Sequence, residues 1–278
     1  MLDSRTEPRP ELEAFTRRIR RDIVSSTTKA GSGHPSTSLS MVELVTVLYF
    51  GGVLRYDVAE PHHPQRDRFI LSKGHGAPGL YAVLAEAGYF PTEDLATLRR
   101  LGSALEGHPN MCRLPGVEAS TGSLGQGLSI GIGHALAGRI DGLDYRVYVM
   151  VGDGESEQGQ VWEALMYAGN HGLDNLTLIV DRNGYQQTDA VAAVQPLDPL
   201  QAKLEAFGWA VRTIDGHSLE EVAQAFSWAR SVAGSPQAIV ANTVKGKGVS
   251  LLEATPGKWH GKPLPKDEVD KALEEIGA

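Results

Sequence analysis

Residues 176–180 read LTLIV, an apolar run without the alternation of a half-exposed strand. Such a run suits a strand buried on both faces, the environment found inside parallel sheets. Residues 145–151, YRVYVMV, form a second strand-like run. Between the two, residues 160–171 place Val161, Ala164, Leu165 and Ala168 on one helical face. Further strands are expected at 68–72, 209–214 and 238–242, with helices at 197–207 and 218–233. Strand and helix alternate through this half. That order calls for an α/β fold, a parallel sheet with helices on both faces.

The amino-terminal half reads differently. Residues 11–29 carry Leu12, Phe15, Ile19 and Ile23 at helical spacing, and 41–50 form a strongly apolar helix. Residues 30–40 and 106–124 are rich in Gly, Ser and Pro and read as loops. A helix is expected at 78–87, and another at 93–101 with Thr92 as its cap. Residues 126–139 read as a helix of small residues, whose glycines cost stability unless they allow close packing against another backbone. A polar, helix-like tail covers 266–275. Neither repeat nor low-complexity linker interrupts the chain, so residues 1–278 are expected to form one domain, with 1–10 a flexible terminus.

Composition narrows the partners. Lys plus Arg number 26 and Asp plus Glu 34, a net charge of -8, which is unlike the basic footprint of a nucleic-acid binder. Residues 44–54 are the most apolar stretch, but they are too short to span a bilayer. Residues 1–10 mix charges with two prolines and lack the apolar core of a signal peptide. The single cysteine, Cys112, cannot close an internal disulfide and fits a reducing compartment. A cytoplasmic protein is the default expectation.

The strand ends carry the chemistry. Gly152-Asp153-Gly154 follows the first strand, and Asp181-Arg182-Asn183 the second. Ligands of open parallel sheets bind beyond the carboxyl ends of strands, so Asp153 and Asn183 converge on one point. Their oxygens are hard donors suited to magnesium or calcium, and the flanking glycines let a phosphate approach the backbone. Both segments are also ordinary turn sequences. The 28 residues between Gly154 and Asn183, which accommodate a helix and a strand, favour the site. No Gly-x-Gly-x-x-Gly fingerprint or Gly-Lys-Ser/Thr loop is present. Lys245-Gly246-Lys247-Gly248 suits either a phosphate contact or an exposed strand-end loop and stays unassigned. Cys112 is alone, and no two histidines share zinc-ligand spacing.

The Gly-Asp-Gly to Asn spacing resembles the motif of thiamin-diphosphate enzymes. AGSGHPSTSLSM at 30–41, FILSKGHGAPGLYA at 69–82, LEGHP at 105–109, LPGVEASTGSLGQGLSIGIG at 114–133 and WHGKPL at 259–264 are similar to the amino-terminal part of transketolases. The resemblance implies a thiamin-diphosphate-binding fold and transfer of a two-carbon ketol unit from a ketose, often a sugar phosphate, to an aldehyde. It implies that Asp153 and Asn183 bind Mg2+ through side chains and Tyr185 through its carbonyl, with Ca2+ or Mn2+ as substitutes. His75, His260, Gly152, Gly154 and Glu155 match positions around the diphosphate. Gly122, Ser123 and Leu124 match the aminopyrimidine surroundings. His34 and His108 match histidines that face substrate hydroxyls, and with His260 form the catalytic set. The remaining histidines, His62, His63, His134, His171 and His217, carry no motif and read as surface or packing residues.

In the family, the activating glutamate and the arginines that hold sugar phosphates belong to a following pyrimidine-binding domain. The resemblance therefore implies half an active site, completed by a carboxyl-terminal partner subunit in a heterotetramer of two copies of each. Two departures stand out. Gln158 replaces a usual glutamate near the interface between paired active sites, while Glu163 keeps the second acid. Ser36, Thr37 and Ser38 add hydroxyls to the substrate loop and suggest an altered substrate. Other readings share part of the pattern: a specialised pathway with an unusual acceptor such as a carrier protein, a 2-oxoacid dehydrogenase α subunit, or a non-catalytic regulatory subunit. The His34, His108 and TGSLGQG segments speak for transketolase.

Overall fold

The structure, a computed structural model, describes residues 11–187 and 189–277. The terminus at 1–10, expected to be flexible, lies outside the described residues. Helices α1 (Leu12–Ala30), α2 (Pro35–Ser40) and α3 (Val42–Phe50) precede strand β1 (Arg68–Leu71). Helices α4 (Ala77–Glu86) and α5 (Gln126–Ile140) lead to β2 (Val147–Gly152), and α6 (Gly159–Asn170) leads to β3 (Leu176–Arg182). A small hairpin, β4 (Tyr185–Gln186) with β5 (Asp189–Ala190), is followed by α7 (Val191–Val194) and α8 (Leu200–Ala206). The last strands, β6 (Ala210–Asp215) and β7 (Gln237–Asn242), flank α9 (Leu219–Ser231). Helices α10 (Ser250–Ala254) and α11 (Val269–Ile276) close the described chain.

The five long strands form one parallel sheet in the order β1-β2-β3-β7-β6. Central strands β2 and β3 are buried on both faces, as the apolar runs require. Side chains of β2 alternate between two cores. Tyr148 and Met150 pack with α1, α3, α4 and α9, whereas Val147, Val149 and Val151 pack with α5, α6 and α8. Val151 pairs with Val180 and Gly152 with Asp181, so the residues just beyond both strands emerge at the same edge.

Two local expectations are corrected, and one about the α5 glycines is met. The loop expected at 30–40 contains α2, with Pro35 at its first position, where a missing N–H does no harm. Its hydroxyls turn back on the backbone: Ser38 donates to the His34 carbonyl (2.9 Å) and Ser40 to that of Thr37 (2.9 Å). The helix expected at 93–101 is a 3-10 turn at Thr92–Thr97, and Thr92 makes no capping bond. Arg99 explains the interruption, because it takes φ 58 while its guanidinium reaches Ser32 Oγ (2.9 Å) and the Gly107 carbonyl (3.3 Å). The glycines of α5 do allow close packing: Gly127 lies against Ser72, backbone included, whereas Gly131 and Gly138 lie against the side chains of Val149 and Tyr145. A Cβ at Gly127 would lie 2.4 Å from Ser72 Cβ, and one at Gly131 2.4 Å from Val149 Cγ2, while Gly133 faces open space.

Candidate active site

Asp153 and Asn183 stand where β2 and β3 end, both buried. Asp153 Oδ1 accepts the Gly154 N–H (2.9 Å) and Oδ2 the Gly184 N–H (2.6 Å), while Asn183 Oδ1 accepts the Tyr185 N–H (3.1 Å). These bonds fold the two turns toward each other. Below them, Asp181 accepts the Lys73 ammonium, the Ser40 hydroxyl (2.6 Å) and the Thr243 hydroxyl. Lys73 also donates to the Thr37 carbonyl (2.9 Å) and hydroxyl (3.1 Å). Burial alone would push the Asp181 carboxyl up. The Lys73 charge and the three donors outweigh it and hold that carboxyl below its usual value.

Asp153 behaves in the opposite way. Burial pushes its carboxyl up to about 6, with the Asp181 charge adding to the effect and backbone donors and Lys73 opposing it. Glu155 is also raised, burial being the main cause. Its Oε1 accepts from Ser72 Oγ (2.5 Å) and the Gly125 N–H (2.9 Å), and Oε2 from the Gly152 N–H (3.0 Å). Glu155 thus pins three loop segments around the site.

Opposite this floor stand three histidines from distant loops. Ring centroids are 5.3 Å apart for His34 and His75, 5.1 Å for His34 and His260, and 5.4 Å for His75 and His260. Burial is the largest cause lowering each, reinforced by neighbouring positive groups: His34 and His260 fall to about 4, and His75 well below its usual value. All three are neutral at pH 7, so each offers one donor and one acceptor nitrogen. Nδ1 of His34 is buried without a hydrogen-bond partner among the described residues. His108 approaches from the side, and its ring lies 2.8 Å from where a Cβ of Gly122 would sit, at φ 138. Only glycine permits that approach.

One cavity of about 380 Å³ collects these groups. It is lined by His34, His75, His108 and His260, by Gly122 and Leu124, by Gly152 through Glu155, and by Asn183 and Tyr185. Ser123 is exposed and does not line it. Lys245, left unassigned from sequence, does. Its buried ammonium donates to the Gln187 carbonyl (3.2 Å) and lies 3.5 Å from His260 Nδ1. Burial lowers it to about 8, with the Asp153 charge opposing. A lysine followed by a glycine just past a strand end was the available signal, but its direction depends on contacts far away in sequence.

The donor set fits a hard cation shared with a polyanion. Among the described residues no group of three His, Cys, Asp or Glu side chains could by itself hold a metal ion. One carboxylate, one amide oxygen and a nearby carbonyl need ligand oxygens to complete a shell, the usual situation of Mg2+ between a protein and phosphates. Lys245 and the neutral histidines can donate hydrogen bonds to such an anion, and the orphaned His34 nitrogen also lacks a partner.

The model of the family described as "Transketolase, thiamine diphosphate binding domain" matches residues 13–278. The chain belongs to the transketolase family. Transketolase from Rattus norvegicus is 45% identical over 266 residues, covering 95% of this chain and 42% of that protein. A 6-deoxy-6-sulfo-D-fructose transketolase subunit from a Clostridium species is 44% identical over 271 residues, 98% of either chain. Among solved structures, transketolase from Campylobacter jejuni superimposes with a TM-score of 0.91 at 32% identity, over 98% of this chain and 43% of that one. A transketolase mutant from Pichia stipitis gives the same TM-score at 30% identity, over 97% and 41%. The chain therefore spans about two fifths of the length of these full-length transketolases.

The hydroxyls of Ser36, Thr37 and Ser38 on α2 are buried. Ser36 donates to the Trp259 carbonyl (3.0 Å) and Ser38 to that of His34, so only Thr37 of the three reaches the cavity. That placement removes the basis for reading Ser36 and Ser38 as substrate contacts. Gln158 lines the cavity rim, whereas Glu163 is exposed on α6. Cys112 is free and exposed. Among the described residues no helix is long and apolar enough to cross a membrane.

Proposed function

We propose that this chain supplies the metal and diphosphate half of a transketolase active site, in an enzyme that moves a two-carbon ketol unit from a ketose to an aldehyde. The supporting observation is the single cavity in which Asp153 and Asn183 face neutral histidines and Lys245 at the carboxyl ends of β2 and β3. Thiamin diphosphate, when bound, supplies the nucleophilic thiazolium carbon, chemistry that no side chain here provides. Asp153, Asn183 and the Tyr185 carbonyl hold Mg2+, for which Ca2+ or Mn2+ can substitute. His75, His260, Lys245 and the backbone of Gly152 and Gly154 receive the diphosphate, and Glu155 fixes the Gly152 and Gly125 amides beside it. Gly122 and Leu124 flank the aminopyrimidine, and Ser123, outside the cavity, contributes at most its backbone. His34 and His108 orient the hydroxyls of the sugar and, with His260, move protons at its oxygens, a role for which uncharged imidazoles are suited.

The domain, residues 1–278 as one unit, works with a carboxyl-terminal partner subunit that carries the pyrimidine-binding half. The end-to-end match to a Clostridium protein described as a subunit supports this arrangement, as a closed assembly of two copies of each chain. A cytoplasmic setting accords with the single unpaired thiol. That same relative favours a second reading of the donor, a 6-sulfo sugar in place of a sugar phosphate.

Two measurements test the proposal. In calorimetry, Asp153→Ala should abolish measurable binding of thiamin diphosphate with magnesium while far-UV circular dichroism stays unchanged; unaltered affinity sinks the metal assignment. The purified chain should show no turnover with cofactor and ketose, and a carboxyl-terminal partner should restore it up to equimolar ratio. Robust turnover by the chain alone refutes the divided active site. Comparing fructose 6-phosphate with its 6-deoxy-6-sulfo analogue in the restored assay decides between the donors.

A further inference from the structure

Behind the Lys245 side of the cavity lies a buried charged cluster that lines no part of it. Glu43 of α3 is 6% exposed and has two partners. Arg20 of α1 donates a guanidinium N–H to Oε1, and His217 Nδ1 lies 3.0 Å from Oε2. The other ring nitrogen, His217 Nε2, accepts the Val244 N–H at 2.8 Å. An amide can only donate, so Nε2 bears the lone pair and Nδ1 the hydrogen directed at Glu43. One imidazole therefore ties a buried carboxylate to the residue just before Lys245.

Arg20 holds the other flank. Its Nε donates to the Lys247 carbonyl at 3.2 Å, and its Cδ lies 3.0 Å from where a Cβ of Gly248 would sit. Between these anchors Gly246 adopts φ 87 and donates its N–H to the Ser36 carbonyl (2.8 Å). A Cβ there would come within 2.5 Å of Leu252 Cβ. The segment is thus held from α1, α3 and the turn after β6 at once, and its one side chain in the cavity is Lys245. Glu43 stays charged in this setting: burial would raise its carboxyl, but the hydrogen bond from His217 and the Arg20 charge outweigh it.

We propose that Arg20, Glu43 and His217 are positioning residues that aim the Lys245 ammonium at the cofactor's diphosphate. The proposal rests on the reading of Lys245 as a diphosphate contact. A lysine has four rotatable side-chain bonds, and its value to an anion depends on how far its backbone is fixed. His217, read from sequence as surface or packing, becomes the hinge-pin of that fixation.

The test is a double-mutant cycle on the full chain, with magnesium pyrophosphate as the calorimetric probe. Lys245→Ala should weaken binding by roughly 10–100-fold, the loss of a charge-assisted hydrogen bond. His217→Ala should weaken it by about 10-fold, the usual scale for a group that orients a ligand-binding residue. In the Lys245→Ala background, His217→Ala should cost less than about 2-fold, because nothing remains to be aimed. His217→Gln, which keeps an acceptor for the Val244 amide, should recover most of the affinity. If His217→Ala does not fold, Arg20→Lys runs the same cycle, since it keeps the charge beside Glu43 but loses the Nε donor. Equal losses with and without Lys245, or unchanged binding in a folded His217→Ala, overturn the positioning role. An ineffective Lys245→Ala, or a wild-type chain that does not bind the probe, overturns instead the diphosphate reading beneath it.

Discussion

The floor and the wall of the cavity are built by different means. The floor, Asp153 and Asn183, follows directly from strand register, and its supporting charges are paired: Asp181 with Lys73, and Glu155 with Ser72 and two amides. The wall, His34, His75, His260 and Lys245, comes from loops that are fixed by contacts over long sequence distances. Ser36 reaches Trp259, Gly246 reaches Ser36, and Val244 reaches His217. Paired buried charges make the floor a stability element, whereas burial without carboxylate partners leaves the wall histidines neutral. The first region should respond most to mutation of its packing, and the wall histidines to acid, a response separated from that of Asp153 by comparison with a histidine variant.

The sharpest way to break this contrast is Lys73→Met, which leaves Asp181 buried without its cation. Breaking a buried pair from one side costs about 3–5 kcal/mol, so denaturant unfolding should show a loss of that order. A loss near zero means that the floor does not depend on the pair. Next comes Gly127→Ala, which sets a Cβ 2.4 Å from Ser72 Cβ and Oγ, under the Glu155 network. Overpacking of this kind costs about 1–3 kcal/mol. A neutral result would show that Ser72 can yield, and that the floor is softer than its hydrogen bonds suggest.

The wall is tested by titration of the cofactor-free chain. His34 and His260 titrate at about 4 in the folded state against 6.5 ordinarily. A depressed folded pKa means that the unfolded chain binds more protons between these values. Their contribution is therefore complete above pH 6.5 and is lost as pH falls from there through 4. Between pH 7 and pH 5 the wild type should lose about 1 kcal/mol more than His34→Asn, after allowing for partial solvent access. Parallel unfolding curves for the two proteins at both pH values would show that His34 is free to protonate when folded.

The smallest effect has the opposite sign and serves as a control on α5. Gly133 faces open space, so Gly133→Ala should add about 0.5–1 kcal/mol from helix propensity alone. A loss of stability there would mean that another surface lies close against this helix in solution.

Residue order alone carried the sheet and the floor. Apolar runs at β2 and β3 could be buried only as central strands, and residues one or two places beyond their ends then have no choice of edge, because register links the two strands residue by residue. The four histidines were legible only through whole segments resembling transketolases, since a histidine beside Gly or Pro in a loop has no periodicity that fixes its direction. Helix α2 and the turn at Thr92–Thr97 were misread for the same reason: buried hydroxyls bonded to backbone stabilise one, and Arg99 reaching across to Ser32 interrupts the other. Lys245 stayed open between two readings, and His217 read as surface or packing. Their roles exist only once α1, α3, β6 and β7 are packed, because a flexible lysine and an isolated imidazole take their meaning from partners distant in sequence, Gln187 for Lys245 and Glu43 for His217, which only the tertiary structure brings within hydrogen-bond reach.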